Sequence, residues 1–198
     1  MPEAPMDLTE LEARISALPG EIVDQVMLTR VGLKGVAIIR KRTESGVFLP
    51  GSSANAENYS TTPMPLPYGK LRGKLSGKKA KEEGFRVFTS KSGRVWIVLP
   101  GGYKQYRQLY GKAADKVTLS WSGRMLRNLK LISASGDTAE LGFDDAEEDR
   151  IASYHNTLGA GKSRRKHVFM GFTEGEEEQL TAETVKQLEG KLKVIFGE

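Results

Sequence analysis

Two stretches of this chain alternate apolar and polar residues, and each doubles back on a turn. "FRVFTSKSGRVWIVLP" (85–100) sets "FRVF" and "RVWIVL" on either side of "SKSG". "KLISASGDTAELGF" (130–143) does the same around Ser135–Asp137. Alternation at period two is the mark of a half-buried strand, and a short glycine-containing turn between two such runs closes an antiparallel hairpin. The chain is thereby committed to antiparallel β-structure, and the remaining elements must cover it.

Those elements read as helices. Leu8, Leu11, Ile15 and Leu18 predict a short helix, ended at "LPG" because Pro19 disfavours helix in the residue before it. A long helix follows over 21–42, with Ile22, Val26, Val36 and Ile39 near one face and Val23, Met27, Val31 and Ile38 beside it. So broad an apolar surface fits a sheet or a neighbouring subunit. Gly32 and Gly35 interrupt it at about 1 kcal/mol each against Ala, which points to a close approach or a bend. "YKQYRQLYGK" places Tyr103, Tyr106 and Tyr110 on one helix face, with Lys104, Arg107 and Lys112 between them. Such a stripe either packs inward or stacks nucleic-acid bases. Ser122 is a plausible N-cap for a short helix in "SGRMLRNL". "DDAEEDRIASYHNTLG" reads as a helix with acids in its first turn and Gly159 as its C-cap. "HVFMGF" reads as a strand and "TAETVKQLEGKLKVIF" as a closing helix.

The fold class is therefore α+β: an antiparallel β-sheet packed by a long N-terminal helix and a C-terminal helix, with a long irregular excursion. In domain terms, 1–42 holds the N-terminal helices, 43–84 is an extended loop or insertion, and 85–198 is the α+β core of the same single domain. The 43–84 stretch is rich in Pro and Gly. About forty structureless residues are unusual inside a compact domain, so ordering against another chain is expected there.

Several function classes are disfavoured. The zero Cys rule out disulfides and Cys-based metal sites and fit synthesis in a reducing cytoplasm. Two His residues argue against a His-rich metal centre. No apolar run approaches the ~18 residues of a membrane span, and the first residues lack the basic start and apolar run of a signal peptide. "GAGKS" (159–163) invites comparison with a phosphate-binding loop, but the first glycine of that motif would fall at Asn156. No buried strand precedes it, and Arg164, Arg165, Lys166 and His167 do not begin a core helix. His155 has no partners at triad spacing, and Trp96 and Trp121 read as core anchors. The acids at Asp144, Asp145, Glu147, Glu148 and Asp149 read as solvated complements to a helix dipole, as do Glu176, Glu177 and Glu178. No catalytic set, cofactor site or metal site is expected.

Charge is polarised along the chain. Residues 68–130 carry sixteen Lys/Arg against three Asp/Glu, a net +13, which leaves −8 for the rest of a chain whose total is +5. A basic segment of this kind suits nucleic acid or an acidic protein surface. A sequence-independent nucleic-acid-binding protein is therefore one reading of the chain.

The second half also resembles a known family. The blocks "SGRMLRNL" (122–129), "AELGF" (139–143), "IASYHNTLG" (151–159) and "RRKHVFMGFTEGEEEQL" (164–180) follow one another as "tG-x-L-x-x-S-L", a hairpin ending "v-x-I-G", "Y-A-x-x-H-x-x-G" and "P-A-R-x-F-L-G-L" do in the neck proteins of tailed bacteriophages. These are the head–tail joining and tail-completion proteins of virion morphogenesis, and the likeness covers roughly 118–196. "RKRTESG" and "SGRVWIVLPGGYKQYRQLYGK" are similar in organisation to the family's first half. Lys166, His167 and Val168 stand where Ala-Arg-Pro is usual, and Tyr154 where Ala is common.

The resemblance implies a structural virion protein at the neck, without enzymatic activity. It implies a homo-oligomeric ring, a hexamer favoured over a dodecamer, between a head connector and a tail-terminator or tail-tube protein, with genomic duplex DNA passing through the lumen. Arg164, Arg165, Lys166, Asp144, Asp145, Tyr103, Tyr106 and Arg107 are the residues expected at its contacts, with the three basic ones meeting the acids at 144–149 of an adjacent copy.

Overall fold

A computed structural model describes residues 23–196, apart from Asn55, Arg72 and 161–163. The short helix expected over 8–18 lies outside the described residues, as does the "GKS" triplet. The class is α+β, as the alternation and helical spacings require. The chain falls into two compact units, each assembled from separated segments: unit 1 from 1–41, 124–154 and 169–198, and unit 2 from 42–123 and 155–168. One continuous domain with an insertion was the expectation from sequence.

Unit 1 is built on α1 (Gln25–Glu44), α4 (Arg124–Asn128), the hairpin β4 (Leu129–Ser135) and β5 (Thr138–Phe143), α5 (Ala146–Ser153), and α6 (Glu174–Phe196). Asp24 caps α1, its Oδ1 accepting from Met27 N at 2.8 Å. The buried hydrophobic side chains of α1 are Met27, Leu28, Val36 and Ile39, joined near its end by Arg42 and Thr43, whereas Val26, expected inside, is exposed. The two glycines explain themselves. A Cβ at Gly32 would lie 2.6 Å from Leu131 Cδ1, and one at Gly35 3.0 Å from the Phe172 ring and 3.1 Å from Leu141. Their cost in helix propensity is offset by close approach to the hairpin. Lys34 pairs with Glu183 at 2.9 Å, Asp24 with Lys191, and Arg30 donates to Gln187, so α6 lies along α1. Thr173 and Glu176 exchange side-chain and backbone hydrogen bonds, a capping box that starts α6 well before the expected 181. Arg40 donates from Nη2 to the carbonyls of Arg127 and Leu129, capping the end of α4.

Unit 2 holds a three-stranded antiparallel sheet ordered β1–β3–β2, with β1 at Met64–Pro67, β2 at Arg86–Thr89 and β3 at Val95–Leu99. Its helices are α2 (Gly77–Glu82) and α3 (Gly102–Leu109), and a 3₁₀ turn spans Tyr68–Leu71. The two expected hairpins thus belong to two separate sheets, not one. The larger correction concerns 43–84. Among its described residues 45–63 carry no helix or strand, as expected, but 64–82 supply an edge strand, a 3₁₀ turn and a helix, and the stretch as a whole buries Leu49, Ala56, Leu66, Leu71, Leu75 and Ala80. Leu66, Leu71, Leu75, Ala80, Phe85, Ile97 and Leu99 form one core. In the glycine-spaced run, Leu71 and Leu75 enter this core while Lys70, Lys74, Lys78 and Lys79 stay exposed. Proline-rich "MPLP" escapes the strand signal because proline donates no ladder hydrogen bond. It is tolerated here because β1 is an edge.

"HVFMGF" is not a strand either. It forms no regular element and bonds to the 49–53 loop partly through hydroxyls: Val168 N to Ser52 Oγ and Lys166 N to Ser53 Oγ, both at 2.9 Å. Leu49 N and Ser53 N return to the carbonyls of Val168 and Lys166. Side-chain acceptors have replaced the ladder.

Candidate functional site

The tyrosine stripe of α3 faces inward. Gly102 opens the helix at φ +60, where a Cβ would meet Thr62 O at 2.4 Å and Ser60 O at 2.7 Å. Only glycine permits so close a return of the 60–62 backbone. Tyr103, Tyr106 and Tyr110 then gather around Trp121. The Tyr106 and Trp121 rings stack at 5.4 Å with planes 8° apart, and Tyr103 meets Tyr59 edge-on at 5.6 Å. Arg107 sits inside this cluster, only 3% exposed. Its Nε donates to Ala113 O at 2.7 Å and its Nη2 to Ser120 O at 3.0 Å. The guanidinium lies 4.4 Å from the Tyr59 ring centre and 5.5 Å from that of Trp121. Burial pushes the Tyr106 hydroxyl up to about 12, with the Tyr110 hydrogen bond adding to it. Burial also raises Tyr103, against the pull of Arg107.

The group expected to contact a partner through Tyr103, Tyr106 and Arg107 is thus largely a packing device. Arg107 is withdrawn from the surface because two carbonyls and two aromatic faces need its charge. Trp121, expected as a core anchor, keeps 37% of its surface and is the open side of the cluster.

The loop around "GAGKS" runs the wrong way for a phosphate-binding loop. A helix, α5, and a π turn (Tyr154–Leu158) precede it, and no helix begins in the described residues after it until Glu174. Gly159 has φ +81, and Ala160 and Arg165 exchange both backbone hydrogen bonds, at 2.8 and 3.1 Å. Of the three basic residues, Arg164 and Lys166 are exposed. Arg165 is half-buried and donates to Asn58 O at 2.9 Å.

Beneath the loop lies a pair that no sequence spacing announced. His155 and His167 face each other with Nδ1 atoms 3.3 Å apart, and His167 N donates to His155 O at 2.8 Å. Phe48 packs edge-on to His167. Burial drops His155 to about 4, with the neighbouring His167 adding to it. Burial also lowers His167, and the Arg165 charge works in the same direction. Both rings are neutral in the fold at pH values where unfolded imidazoles, near 6.5, already take up protons. The unfolded state therefore binds more protons between about 6.5 and 4, and stability falls as pH drops through that window. From pH 7 to pH 5 the loss is expected to reach about 2 kcal/mol, read as the urea midpoint. The double variant His155→Gln/His167→Gln should show little of it. An unchanged wild-type midpoint across that range would refute the assignment.

In unit 1 four of the five acids at the start of α5, Asp149 excepted, are engaged within the chain. Asp145 caps the helix, its Oδ1 accepting from Glu147 N at 2.9 Å and Glu148 N at 3.2 Å. Those backbone bonds, that of Glu148 foremost, and the Arg124 side chain hold its carboxyl below the usual range. Lys130 binds Asp144 and lowers it in the same way. Glu147 pairs with Arg150 at 2.8 Å, and Glu148, 3% exposed, with Arg124 Nε at 2.8 Å. Glu148 is a correction: it is a buried ion-pair member, not a solvated acid. Asp144 and Asp145, expected to receive basic residues from another copy, already have partners within the chain.

Among the described residues no group of three or more His, Cys, Asp or Glu stands where a metal ion could be held, and no helix is long and apolar enough to cross a membrane. The chain matches no protein-family model, no curated protein and no solved structure.

Proposed function

We propose that this chain is a structural protein of a tailed-phage neck, a ring subunit that joins the DNA-filled head to the tail. The observation that carries the reading is the ordered series of motif blocks over 118–196, each of which coincides with a piece of scaffold. "SGRMLRNL" covers α4, "AELGF" is the second strand of the β4–β5 hairpin, and "IASYHNTLG" spans the end of α5, the π turn and the left-handed Gly159. "RRKHVFMGFTEGEEEQL" runs from the basic loop through buried Phe169 to the capped start of α6. Leu126, Ala152, His167 and Phe169, one or more from three of these blocks, are buried in the fold, as befits a part whose job is shape.

Charge supports the same reading. Unit 2 carries eighteen Lys/Arg and five Asp/Glu, net +13, and unit 1 twelve and twenty, net −8. Copies bearing two unlike surfaces can associate head to tail, and a head-to-tail contact closes into a ring when its rotation permits. The nucleic-acid alternative draws on the same basic unit, but its tyrosine stripe is engaged in internal packing.

Deleting the gene from the phage genome is expected to yield filled heads and finished tails that remain separate, and the purified wild-type virion should contain the chain. Infectious particles at normal yield without it would overturn the reading.

A further inference from the structure

The β2–β3 hairpin of unit 2 exposes Val87, Phe88 and Val95. All four residues of β2 are exposed, and among the described residues no strand pairs with its outer edge. An open edge of this kind is normally blunted. The opposite edge, β1, is blunted by Pro65 and Pro67, which offer no N–H; β2 has no proline.

Register decides which side chains share each face. Leu66, Ile97 and Val87 stand opposite one another, so their face carries the core. The other face presents Pro65, Trp96, Val98, Phe88 and Arg86. Phe88 is 39% exposed and stacks on Trp96 at 6.5 Å with planes 12° apart. Arg86 shares this face, and Lys91 and Arg94 lie in the turn that joins the two strands; all three are exposed and, among the described residues, in no ion pair. From Gly84 through Ala114 the sequence contains no acid at all. Arg86, Lys91 and Arg94 are therefore uncompensated cations beside uncovered aromatic surface.

The clustered acids of unit 1 differ in their partners. At the start of α5, Asp144, Asp145, Glu147 and Glu148 are paired with Lys130, Arg124 and Arg150, and Asp149 stands exposed as a single acid beside them. Glu174, Glu177 and Glu178, on the first turns of α6, are exposed and, among the described residues, in no ion pair.

We infer that the Phe88–Trp96 face of the β2–β3 hairpin is a docking surface for a second copy of this chain, which presents its acidic unit through Glu177 and Glu178. Charge selects the occupant. Every copy carries a surface of each sign, +13 on unit 2 and −8 on unit 1, so complementary surfaces are present in equal number. A same-face dimer would instead set Arg86, Lys91 and Arg94 against their own copies, and like charges in apposition are repelled. Because the two surfaces differ, the contact is head-to-tail. Its closure into a ring rests on the neck reading; the contact itself does not.

The test uses the purified full chain and two variants, each defective in one surface. Phe88→Asp spoils the sheet face, with Arg86→Glu as a second variant that leaves the aromatic pair in place. The double change Glu177→Lys/Glu178→Lys spoils the acidic side. Sedimentation should show wild type associating beyond a dimer at about 0.1 M salt and at least tenfold more weakly near 1 M, where the screening length drops from roughly 10 to 3 Å. Each variant alone should remain monomeric with an unchanged circular dichroism spectrum. Mixing Phe88→Asp with the Glu→Lys variant should give a one-to-one dimer that grows no further, since one intact surface of each kind remains. A wild type that is monomeric throughout overturns the inference, as does a mixture that stays monomeric or a Glu→Lys variant that associates normally. Salt-sensitive binding of a single-stranded oligonucleotide, lost in Phe88→Asp while wild type stays monomeric, would give the face to nucleic acid and overturn it too. Virions that assemble without the chain would defeat the neck reading while leaving this association standing.

Discussion

Replacing Arg124 with Leu should lower the stability of the chain by about 3 kcal/mol. The reason is Glu148. Its side chain is 5% exposed, and its carboxylate is met by Arg124 Nε at 2.8 Å. Arg124 also binds Asp145 from Nη2, tying the first residue of α4 to the cap of α5. Leu would leave a buried carboxylate without its countercharge. Loss of one member of a buried pair costs about 3–5 kcal/mol, and the 56% exposure of the Arg124 side chain favours the lower end. Urea denaturation of single and double variants separates the terms. Glu148→Gln in the Arg124→Leu background should recover a large part of the loss, because the stranded charge is gone. If Arg124→Leu costs less than about 1 kcal/mol, the pair behaves as an exposed surface bridge and the burial argument fails.

Arg107→Leu should be at least as damaging, by about 3–4 kcal/mol. Arg107 is a buried cation with no carboxylate among its contacts. It is held by the carbonyls of Ala113 and Ser120 and by the faces of Tyr59 and Trp121. Leu keeps much of the volume but leaves both carbonyls without this donor, at about 1–3 kcal/mol each, and removes the cation–π contacts. Arg107→Lys should rescue only part of the loss, since a single ammonium cannot reproduce a planar fork reaching two acceptors. The urea midpoint, followed through Trp fluorescence, reports it. A midpoint for Arg107→Leu equal to wild type would mean that the cluster does not depend on its cation.

Local physics made much of this fold legible in advance. The two hairpins, the long α1, the short α4 after "SG", the acid-led α5 and the C-terminal helix each follow from spacing and caps that act within a few residues. Gly32 and Gly35 were legible as positions of close approach, though not what approaches them. Failures came where a segment's state depends on something remote. "MPLP" carries no strand signal and becomes a strand because β3 offers it a partner; "HVFMGF" carries one and finds serine hydroxyls instead of a ladder. The 43–84 stretch looked unable to fold alone because its buried leucines are thinly spread among lysines and glycines.

The site divides along the same line. Residue types and net charge, and hence a basic surface and an acidic one, were present in the sequence. Which charges remain free was not. Asp144 and Glu177 sit in acidic runs of similar composition, yet one is bound to Lys130 and the other is in no ion pair. Arg107 and Arg86 both lie in the acid-free stretch, yet one is buried among aromatic rings and the other stands on an open sheet face. By itself the sequence determined the class of fold, most element boundaries to within a few residues, and the polarity of charge. The tertiary structure alone decided which of those charges are spent on holding the chain together, because an ion pair or a buried cation exists only where distant segments are brought within about 3–4 Å of one another.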